Sequence, residues 1–429
     1  MFHIENDIVR SLLLKGNFGL EKESLRITRD GNFALSLHPF PDNKNIVYDF
    51  CENQTEINTD AAPSAEEAEK LLEFHTRQIH KKLVTLEEPE YMWPFSNPPY
   101  IRNERDIPIA HHNSKAEYSE GYREYLANRY GRYMMSLSGI HVNYSFSDEL
   151  LRADFELSEV GNFEEYKNRV YLDLAAGLAA YGWIVTALTA ASPLLDGSYL
   201  ERGRRGITAF NGLASTRCSE LGYWNYFVPV FDYSDIKAYA ASIRQYVDAG
   251  LIVSPTELYY PVRLKSYGKN NLSRLAAEGV SHIELRTVDL NPFELSGINL
   301  KDLKFIQLLF AWIASNPRKE LTLRDQVQAA QNFKNAAHYD LKTVKIVIPK
   351  GKSLSVVKTG FEVLEQMKEF YRDFPDDVME ILEFEEEKLR IPEKRYAWMI
   401  KEQFEDDFAG KGLKLAKELQ ERILTDFSV

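Results

Sequence analysis

The clearest pattern in the chain is an alternation of polar and apolar residues within short segments. In residues 139–146, His141 and Asn143 alternate with Val142 and Tyr144. Successive side chains of a β-strand point to opposite faces of the sheet. The segment is therefore predicted to be a half-buried strand with one polar face and one apolar face.

Two further segments show the same alternation with charged residues. Glu21 and Glu23 are two positions apart, as are Glu284 and Arg286 much later in the chain. As a strand, the first segment would place its two glutamates on the same face. The second would place the Glu284 carboxylate and the Arg286 guanidinium on the same face of its own strand.

A fourth acidic segment does not fit a simple strand. Asp49 and Glu56 are seven positions apart, an odd offset that puts them on opposite faces of an unbroken strand. A β-bulge inserts one extra residue and shifts the alternation. We therefore expect a bulge to bring these two carboxylates to the same face.

Longer segments repeat their apolar residues at helical spacing, which predicts helices. The predicted helical segments are Asp60 to Val84, Tyr118 to Leu137, Leu150 to Tyr181 and Leu300 to Asn316. After Ala337 a short strand-like run, residues 344–348, leads into charged helical sequence. We therefore divide the chain into residues 1–336, which carry the polar strands, and a mainly helical region, residues 337–429.

The segment from Leu172 to Ala191 is apolar over a length that would cross a bilayer. Gly177 and Gly182 would let neighbouring elements approach closely, and a helix that is apolar all round is equally expected inside a large soluble protein. Polar motifs lie on both sides of the segment and must share one compartment. We therefore predict a buried helix and no membrane partner.

Composition narrows the class of protein. The chain has 429 residues, 44% of them hydrophobic and 27% charged, as in ordinary globular proteins. The formal net charge of −12 disfavours a nucleic-acid partner. The short basic cluster of Arg202, Arg204 and Arg205 is interpreted as a solvated loop. Only two cysteines occur, and residues 1–16 lack a basic leader, so we expect a cytoplasmic protein.

The acidic strands suggest a metal site. Several carboxylates on one concave face repel each other unless a cation neutralises them, and hard divalent cations with oxygen ligands do so well. One imidazole among carboxylates is compatible with Mg²⁺ or Mn²⁺, whereas zinc favours more His or Cys ligands. Any one of these glutamates, taken alone, would be interpreted as a surface carboxylate. Because the chain has no P-loop or dinucleotide-binding glycine motif, ATP would have to be held by metal and sheet.

Several motifs, in this order, resemble the glutamate-cysteine ligases, and more closely the type found in bifunctional bacterial glutathione-synthesising proteins. They are residues 18–26 (FGLEKESLR), 52–56 (ENQTE), 129–132 (RYGR) through 138–141 (SGIH), and 283–286 (IELR) through 291–293 (NPF). The resemblance implies an α+β, glutamine-synthetase-like fold. In that fold a curved antiparallel sheet forms the floor of the active site, with helices packed behind it and a smaller helical C-terminal appendage.

The resemblance also implies roles for individual side chains. The implied metal-site residues are Glu21, Glu23, Asp49, Glu56, His141 and Glu284. Arg286 would contact the transferred phosphoryl group, acting with Glu284 in catalysis. The residues implied for the substrate pocket are Tyr122, Arg217 and Tyr223, with Arg123 and Tyr259 added across a gap in the local match.

Each assignment has an ordinary structural alternative. Tyr122 would also suit a half-buried core position, and His141 a hydrogen-bonded core histidine. Arg217 and Tyr223 flank Leu221 and Gly222, which would also suit an ordinary loop. Cys218 is interpreted as a small buried hydrophobe.

The activity that the resemblance implies is ATP- and Mg²⁺-dependent ligation of the glutamate γ-carboxylate to the amino group of cysteine. It proceeds through a γ-glutamyl phosphate and is the first step of glutathione biosynthesis. A related ligase using a different amine, and a nucleotide-binding module without turnover, are the alternatives. In the bifunctional relatives a second synthetase module follows, and the residues after 337 are too few for it, so we expect the dipeptide as the product.

Overall fold

The computed structural model describes residues 1–110, 120–201, 204–268, 271–316 and 320–425. The strands in these residues are β1 (Gly16–Thr28), β2 (Ile46–Tyr48), β3 (Gln54–Asn58), β4 (Glu90–Met92), β5 (Ile140–Phe146), β6 (Leu194–Asp196), β7 (Thr208–Phe210), β8 (Val262–Lys265), β9 (His282–Val288), β10 (Lys345–Val347) and β11 (Ser353–Ser355). Seven of them form one antiparallel sheet in the order β2-β3-β1-β5-β9-β8, with β4 paired to the end of β1.

The three segments that alternate polar and apolar residues are neighbouring strands of this sheet, as predicted. Glu21 of β1 lies opposite His141 of β5, and Asn143 of β5 lies opposite Glu284 of β9. Directly opposed residues of antiparallel strands point to the same face. The polar residues of all three strands therefore line one face of the sheet, which we call the front face.

The expected bulge between Asp49 and Glu56 is wrong. The chain reverses between β2 and β3, which pair antiparallel with Val47 opposite Glu56. The Asp49 N–H continues this ladder by donating to the Gln54 carbonyl at 3.1 Å. A hairpin, rather than a bulged strand, therefore brings both carboxylates to the front face.

Helices cover the opposite, back face and the ends of the sheet. Their bounds are α1 (Asp7–Leu12), α2 (Ala65–Leu83), α3 (Glu120–Tyr130), α4 (Asp148–Phe155), α5 (Phe163–Tyr181), α6 (Trp183–Thr189), α7 (Gly197–Leu200), α8 (Ile236–Asp248), α9 (Leu272–Glu278), α10 (Leu300–Ser315), α11 (Leu323–Ala336), α12 (Val356–Tyr371), α13 (Asp376–Arg390), α14 (Tyr396–Phe404) and α15 (Phe408–Thr425). Short 3₁₀ turns occur at Glu104–Asp106, Met134–Ser136, Pro255–Glu257 and Pro392–Lys394. The mixed architecture expected from the resemblance is confirmed.

The apolar segment from Leu172 to Ala191 is buried, as predicted. It forms the end of α5 and all of α6, and a Cβ added at Gly177 would lie 2.2 Å from Ile313 Cγ2 of α10, so only glycine permits this packing. Within the described residues, no single helix is long and apolar enough to cross a membrane. The pair α5 and α6 would pass that test together, but it is bent by 55°.

Two predicted features fall partly outside the described residues. The helix predicted from Tyr118 begins in the structure at Glu120, and residues 118 and 119 lie outside the described part. Of the basic cluster, Arg202 also lies outside it. Arg204 pairs with Glu201 at 3.0 Å, and the Arg205 guanidinium lies 4.8 Å from the centre of the Tyr100 ring.

The C-terminal region is helical, as predicted, and shares the core of the preceding residues. The Tyr371 hydroxyl of α12 donates to the Leu308 carbonyl of α10 at 2.6 Å. Gly412 of α15 packs against the Trp93 ring, where a Cβ would lie 2.3 Å from the indole. Residues 337–429 therefore pack into the same core as the residues before them. The division after residue 336 stays a prediction.

Candidate active site

One cavity on the front face is lined by every side chain predicted for the site. Its volume is about 250 Å³. The predicted residues that line it are Glu21, Glu23, Asp49, Glu56, Tyr122, Arg123, His141, Arg217, Tyr223, Tyr259, Glu284 and Arg286. Residues more than 260 positions apart in sequence thus meet in one place because β1, β5 and β9 are adjacent in the sheet.

The cavity floor contains an imidazole between carboxylates. His141 Nδ1 lies 2.9 Å from Glu21 Oε2 and 3.9 Å from Glu284 Oε1, while Nε2 lies 3.7 Å from Glu23 Oε1. Asn143 Nδ2 donates to the other Glu21 oxygen at 3.0 Å. Both ring nitrogens therefore face acidic groups, which an ordinary hydrogen-bonded core histidine does not require.

Three of these side chains meet the distance requirement of a metal site. In the described residues, one ligand atom each from Glu21, His141 and Glu284 lie within 4.8 Å of one another. Burial and the nearby charge of Arg286 lower the pKa of His141 to about 4. The imidazole is therefore neutral at neutral pH, which is the form that binds metals.

Two of the carboxylates are held in their charged form. Burial alone would raise the pKa of Glu21, but the hydrogen bond with His141 and the charge of Lys265 bring it down to about 2. Burial also opposes ionisation of Glu284, yet the charges of Lys265 and Arg286 hold its pKa well below the usual range.

For the other three carboxylates, burial and mutual repulsion outweigh the nearby cations. Burial and the charge of Asp49 raise the pKa of Glu23 to about 8, although Arg217 and Arg286 oppose this. Burial likewise raises the pKa of Asp49, and burial with the charges of Asp49 and Glu21 raises that of Glu56 well above its usual value. These three carboxylates therefore resist ionisation as long as no cation is bound beside them.

The donor set fits a hard divalent cation. Carboxylate oxygens with a single neutral imidazole suit Mg²⁺ or Mn²⁺ and are a poor set for structural zinc. A cation at this place would offset the burial and mutual repulsion that oppose ionisation of Glu23, Asp49 and Glu56. Either nitrogen of His141 faces a carboxylate with which it could share such an ion.

Basic residues on β8 and β9 form the opposite wall of the cluster. Arg286 Nη1 donates to Glu284 Oε1 at 3.0 Å, and Lys265 Nζ donates to the same oxygen at 3.3 Å. Arg263 Nη1 lies 3.9 Å from Glu284 Oε2. The sequence analysis missed Arg263 and Lys265, although residues 262–265 alternate apolar and basic, because a four-residue run is too short to establish a period.

Aromatic side chains enclose the far end of the cavity. Tyr122, from α3, accepts a hydrogen bond from Thr256 Oγ1 at 3.2 Å, and its neighbour Arg123 donates from Nε to the Asp49 carbonyl at 3.0 Å. The rings of Tyr223 and Tyr259 lie 5.6 Å apart. Tyr122 and Arg123 are thus joined to both the turn before β8 and the acidic hairpin.

Arg217 lies beneath this aromatic end and is almost wholly buried. Its Nη1 donates to the Val288 carbonyl at 3.4 Å, and its Nε has no partner among the described residues. A Cβ added at Gly139 would lie 2.3 Å from the guanidinium, so glycine gives Arg217 its place. Burial raises the pKa of the adjacent Cys218 thiol to about 11, consistent with a small hydrophobic residue.

Comparison with known proteins agrees with these motifs. The sequence model of the glutamate-cysteine ligase family matches residues 1–250 and 227–336. A glutathione biosynthesis bifunctional protein of Listeria welshimeri is 35% identical over 415 residues, which cover 93% of this chain and 53% of that protein. The corresponding protein of Clostridium perfringens is 31% identical over 441 residues, 97% of this chain and 55% of the relative. The chain thus spans about half the length of the curated relatives it matches.

Solved structures show the same fold. A bifunctional glutathione synthetase from Pasteurella multocida superposes with a TM-score of 0.83 at 26% identity, over 98% of this chain and 54% of that one. A glutamate-cysteine ligase from Francisella tularensis, solved with AMP, superposes with a TM-score of 0.85 at 22% identity, over 95% and 89% of the two chains. The resemblance seen in the motifs is therefore confirmed, and the chain belongs to the glutamate-cysteine ligase family.

Proposed function

We propose that this chain joins the γ-carboxylate of L-glutamate to the amino group of L-cysteine at the expense of ATP, forming ADP, phosphate and γ-glutamylcysteine. This reaction is the first step of glutathione biosynthesis. The observation that carries the proposal is the front-face cavity that all the predicted site residues line. It has a carboxylate and imidazole cluster for a metal and polyphosphate at one end, and a buried arginine among tyrosines at the other. Membership of the family supports the same activity.

The first chemical step activates the carboxylate. A γ-carboxylate oxygen of glutamate attacks the γ-phosphorus of ATP, the bond to the bridging oxygen breaks, and ADP leaves. Arg286 points its guanidinium over the cluster and donates to the oxygens of the transferring phosphoryl group. Such a cation stabilises the charge that develops there, which is where phosphoryl-transfer catalysis mainly resides.

We assign the metal-site role to Glu21, Glu23, Asp49, Glu56, His141 and Glu284. Mg²⁺, or Mn²⁺ in its place, would neutralise polyphosphate charge when bound there. Glu284 has a second role because its Oε1 accepts from both Arg286 and Lys265, so that it orients these two cations. Without Glu284 the two side chains would lose their shared anchor.

In the second step the cysteine nitrogen attacks the carbonyl carbon of γ-glutamyl phosphate, and the bond from that carbon to the phosphate oxygen breaks. Arg217 receives the cysteine carboxylate through its unpaired Nε. Tyr122, Tyr223 and Tyr259, together with Arg123, enclose the acceptor and exclude water from the acyl phosphate. Exclusion matters because water would otherwise compete with the amine for the same carbon.

The test is an assay of purified protein with ATP, glutamate, Mg²⁺ and a panel of amines, measuring ADP and the coupled product. We expect γ-glutamylcysteine to form fastest, with no product from a Glu284→Gln control. A faster reaction with another amine would favour the alternative, a γ-glutamyl or carboxylate-amine ligase with a different acceptor. Absence of ADP formation with every amine, in folded protein, would overturn the proposal.

Three associated assignments belong to the same proposal. Residues 1–336 form the catalytic unit, because every assigned site residue lies there and the family match ends at residue 336. The protein acts in the cytoplasm on small-molecule substrates, without nucleic acid or membrane. A chain ended after residue 336 should be destabilised, since it would lose the core residues of α12 and α13 as well as the α12 hydrogen bond to Leu308. Such a truncation tests the packing described above rather than the catalytic assignment.

A further inference from the structure

We propose that a small monovalent anion, with chloride as the simplest example, binds in a second cavity on the back face of β1. This cavity lies between β1, β3, α2 and the loop that follows β9, and its volume is about 30 Å³. Lys22, Thr55, Thr76 and Asn291 line it. The inference does not depend on the reaction proposed for the front face.

Lys22 brings a positive charge into this cavity. Its side chain lies between those of Glu21 and Glu23 in sequence and therefore points to the opposite face of the sheet. The residue is 8% exposed, and its Nζ makes only long hydrogen bonds, to Thr76 Oγ1 at 3.3 Å and to the Leu295 carbonyl at 3.4 Å. Within the described residues, no carboxylate oxygen forms an ion pair with it. A buried charge without a counter-charge is costly.

Two further donors in the cavity are unsatisfied. Asn291 is 3% exposed, and its Oδ1 accepts from the Phe293 N–H at 3.1 Å, which turns Nδ2 away from that bond. Asn291 Nδ2 and the hydroxyl of Thr55, a residue 1% exposed, have no hydrogen-bond partner in the part of the chain that the structure describes. An ammonium with two long hydrogen bonds therefore lines the same small cavity as an amide and a hydroxyl that have no partner among the described residues.

The size of the cavity selects the ligand. A water molecule needs roughly 10–15 Å³ of such space, so a cavity of about 30 Å³ holds one or two particles of that size and excludes nucleotides and amino acids. Water would satisfy hydrogen bonds but would leave the charge of Lys22 uncompensated. A small monovalent anion accepts from all three donors and also balances the charge.

Two other titratable side chains line the cavity. Glu294 Oε1 accepts from Asn299 Nδ2 at 2.7 Å, and within the described residues no ion pair joins this carboxylate to Lys22. His80 lies at the same wall with Nδ1 3.4 Å from Gln420 Oε1 of α15. Gly297 has a φ of 85°, and a Cβ there would lie 3.1 Å from Lys22 Cε, so the loop after β9 closes over the lysine only because this residue is glycine.

A bound anion would connect the strand that carries two active-site glutamates to the rest of the core. It would join Lys22 of β1 to Thr55 of β3 and to Asn291 of the loop after β9. The expected consequence is a protein whose stability depends on the anion. The front-face cavity would not be touched, because it lies on the other side of the sheet.

The test compares sodium chloride with sodium gluconate at constant ionic strength, because gluconate is too large for the cavity. We expect the Tm of the full-length protein to rise with chloride and to saturate. In Thr55→Val, which removes one donor and keeps the shape, the chloride midpoint should be about tenfold higher, the usual effect of losing a hydrogen bond to a charged group. In crystals soaked in bromide, an anomalous peak should lie within hydrogen-bonding distance of Lys22 Nζ.

Asn291→Asp is the decisive variant. Lys22→Met would also remove the buried charge, but that variant risks misfolding. The aspartate keeps the shape of asparagine and places a carboxylate beside Lys22, so this variant should be stable without chloride and should not respond to it. A chloride response equal to that of the unaltered protein would overturn the proposal. So would an unaltered protein whose Tm follows ionic strength alone, or crystals without bromide at Lys22.

Discussion

Two buried clusters of acidic and basic residues differ in what neutralises them. In the structural cluster, defined as Asp302, Glu385, Lys388 and Tyr396, the Lys388 ammonium contacts both carboxylates, and the Tyr396 hydroxyl donates to Asp302 at 2.8 Å. In the active-site cluster, defined as the six proposed metal-site residues, five carboxylates share a cavity of about 250 Å³ with five cationic side chains, which do not offset burial for Glu23, Asp49 and Glu56.

The comparison shows that buried charge alone does not mark a functional site. Burial and the nearby charge of Asp302 raise the pKa of Glu385 well above its usual range, although Lys388 opposes this, so the structural cluster approaches neutrality without any ligand. In the active-site cluster the carboxylates with raised pKa border an open cavity, where a bound cation could take the place of their protons. Carboxylates that resist ionisation next to open space are the feature that distinguishes this cluster.

The largest effect is expected from Arg286→Ala in the active-site cluster. Turnover should fall by about 10³-fold or more, as for other arginines that stabilise a transferring phosphoryl group. The apparent KM for ATP should change far less, because the interaction strengthens in the transition state. Steady-state kinetics of Ala and Lys variants measure this. Equal losses in turnover and ATP affinity would contradict the role.

The next largest effect is on stability, from Lys388→Met in the structural cluster. Removing the cation leaves two buried carboxylates without their partner, and breaking such a pair costs about 3–5 kcal/mol. Urea unfolding should show this loss, while turnover per folded molecule stays unchanged. A triple variant that adds Asp302→Asn and Glu385→Gln should recover most of the stability. If Lys388→Met alone cost less than about 1 kcal/mol, the cluster would not be held by its charges.

Glu56→Gln in the active-site cluster should stabilise the protein, whereas Lys388→Met in the structural cluster should destabilise it. A carboxyl whose folded-state pKa is raised contributes its full stability below its unfolded value of 4.5, and that contribution is lost progressively as pH rises from there through the raised folded-state pKa. At pH 8 the neutral glutamine should therefore stabilise the metal-free protein, by on the order of 1–3 kcal/mol. Below pH 4.5 the two proteins should be alike.

The measurement is thermal unfolding at pH 4 and pH 8, with and without a chelator. Saturating Mg²⁺ should stabilise the unaltered protein more than Glu56→Gln, because the variant lacks one ionised ligand. A Glu56→Gln protein that is less stable than the unaltered one at pH 8 without metal would show that Glu56 is not under repulsion.

The polar front face could be predicted because a period of two is a local property of the sequence. The alternation places Glu21 with Glu23, and Glu284 with Arg286, on one face of their own strands, and the assembled sheet brings these faces together with that of His141. The family resemblance supplied the remainder of the predicted residue set.

Other features depend on contacts that a local pattern does not contain. β2 has three residues and β3 has five, too few to reveal that the chain reverses after Asp49. Lys22 and Asn291 are far apart in sequence and line the same back-face cavity only because the sheet and its loops bring them together. Sharing of the core between α12 and α10 likewise depends on tertiary packing.

The smallest predicted effect concerns Arg217, a buried cation of the active-site cavity whose Nε has no hydrogen-bond partner among the described residues. Arg217→Lys keeps the charge but removes the planar guanidinium, so the KM for cysteine should rise by about tenfold, with little change in turnover. Cysteamine, which lacks the carboxylate, is the matched control, and its KM should be nearly the same for both proteins. If both acceptors weakened equally, Arg217 would be shaping the cavity wall, and the cysteine carboxylate would have to bind elsewhere.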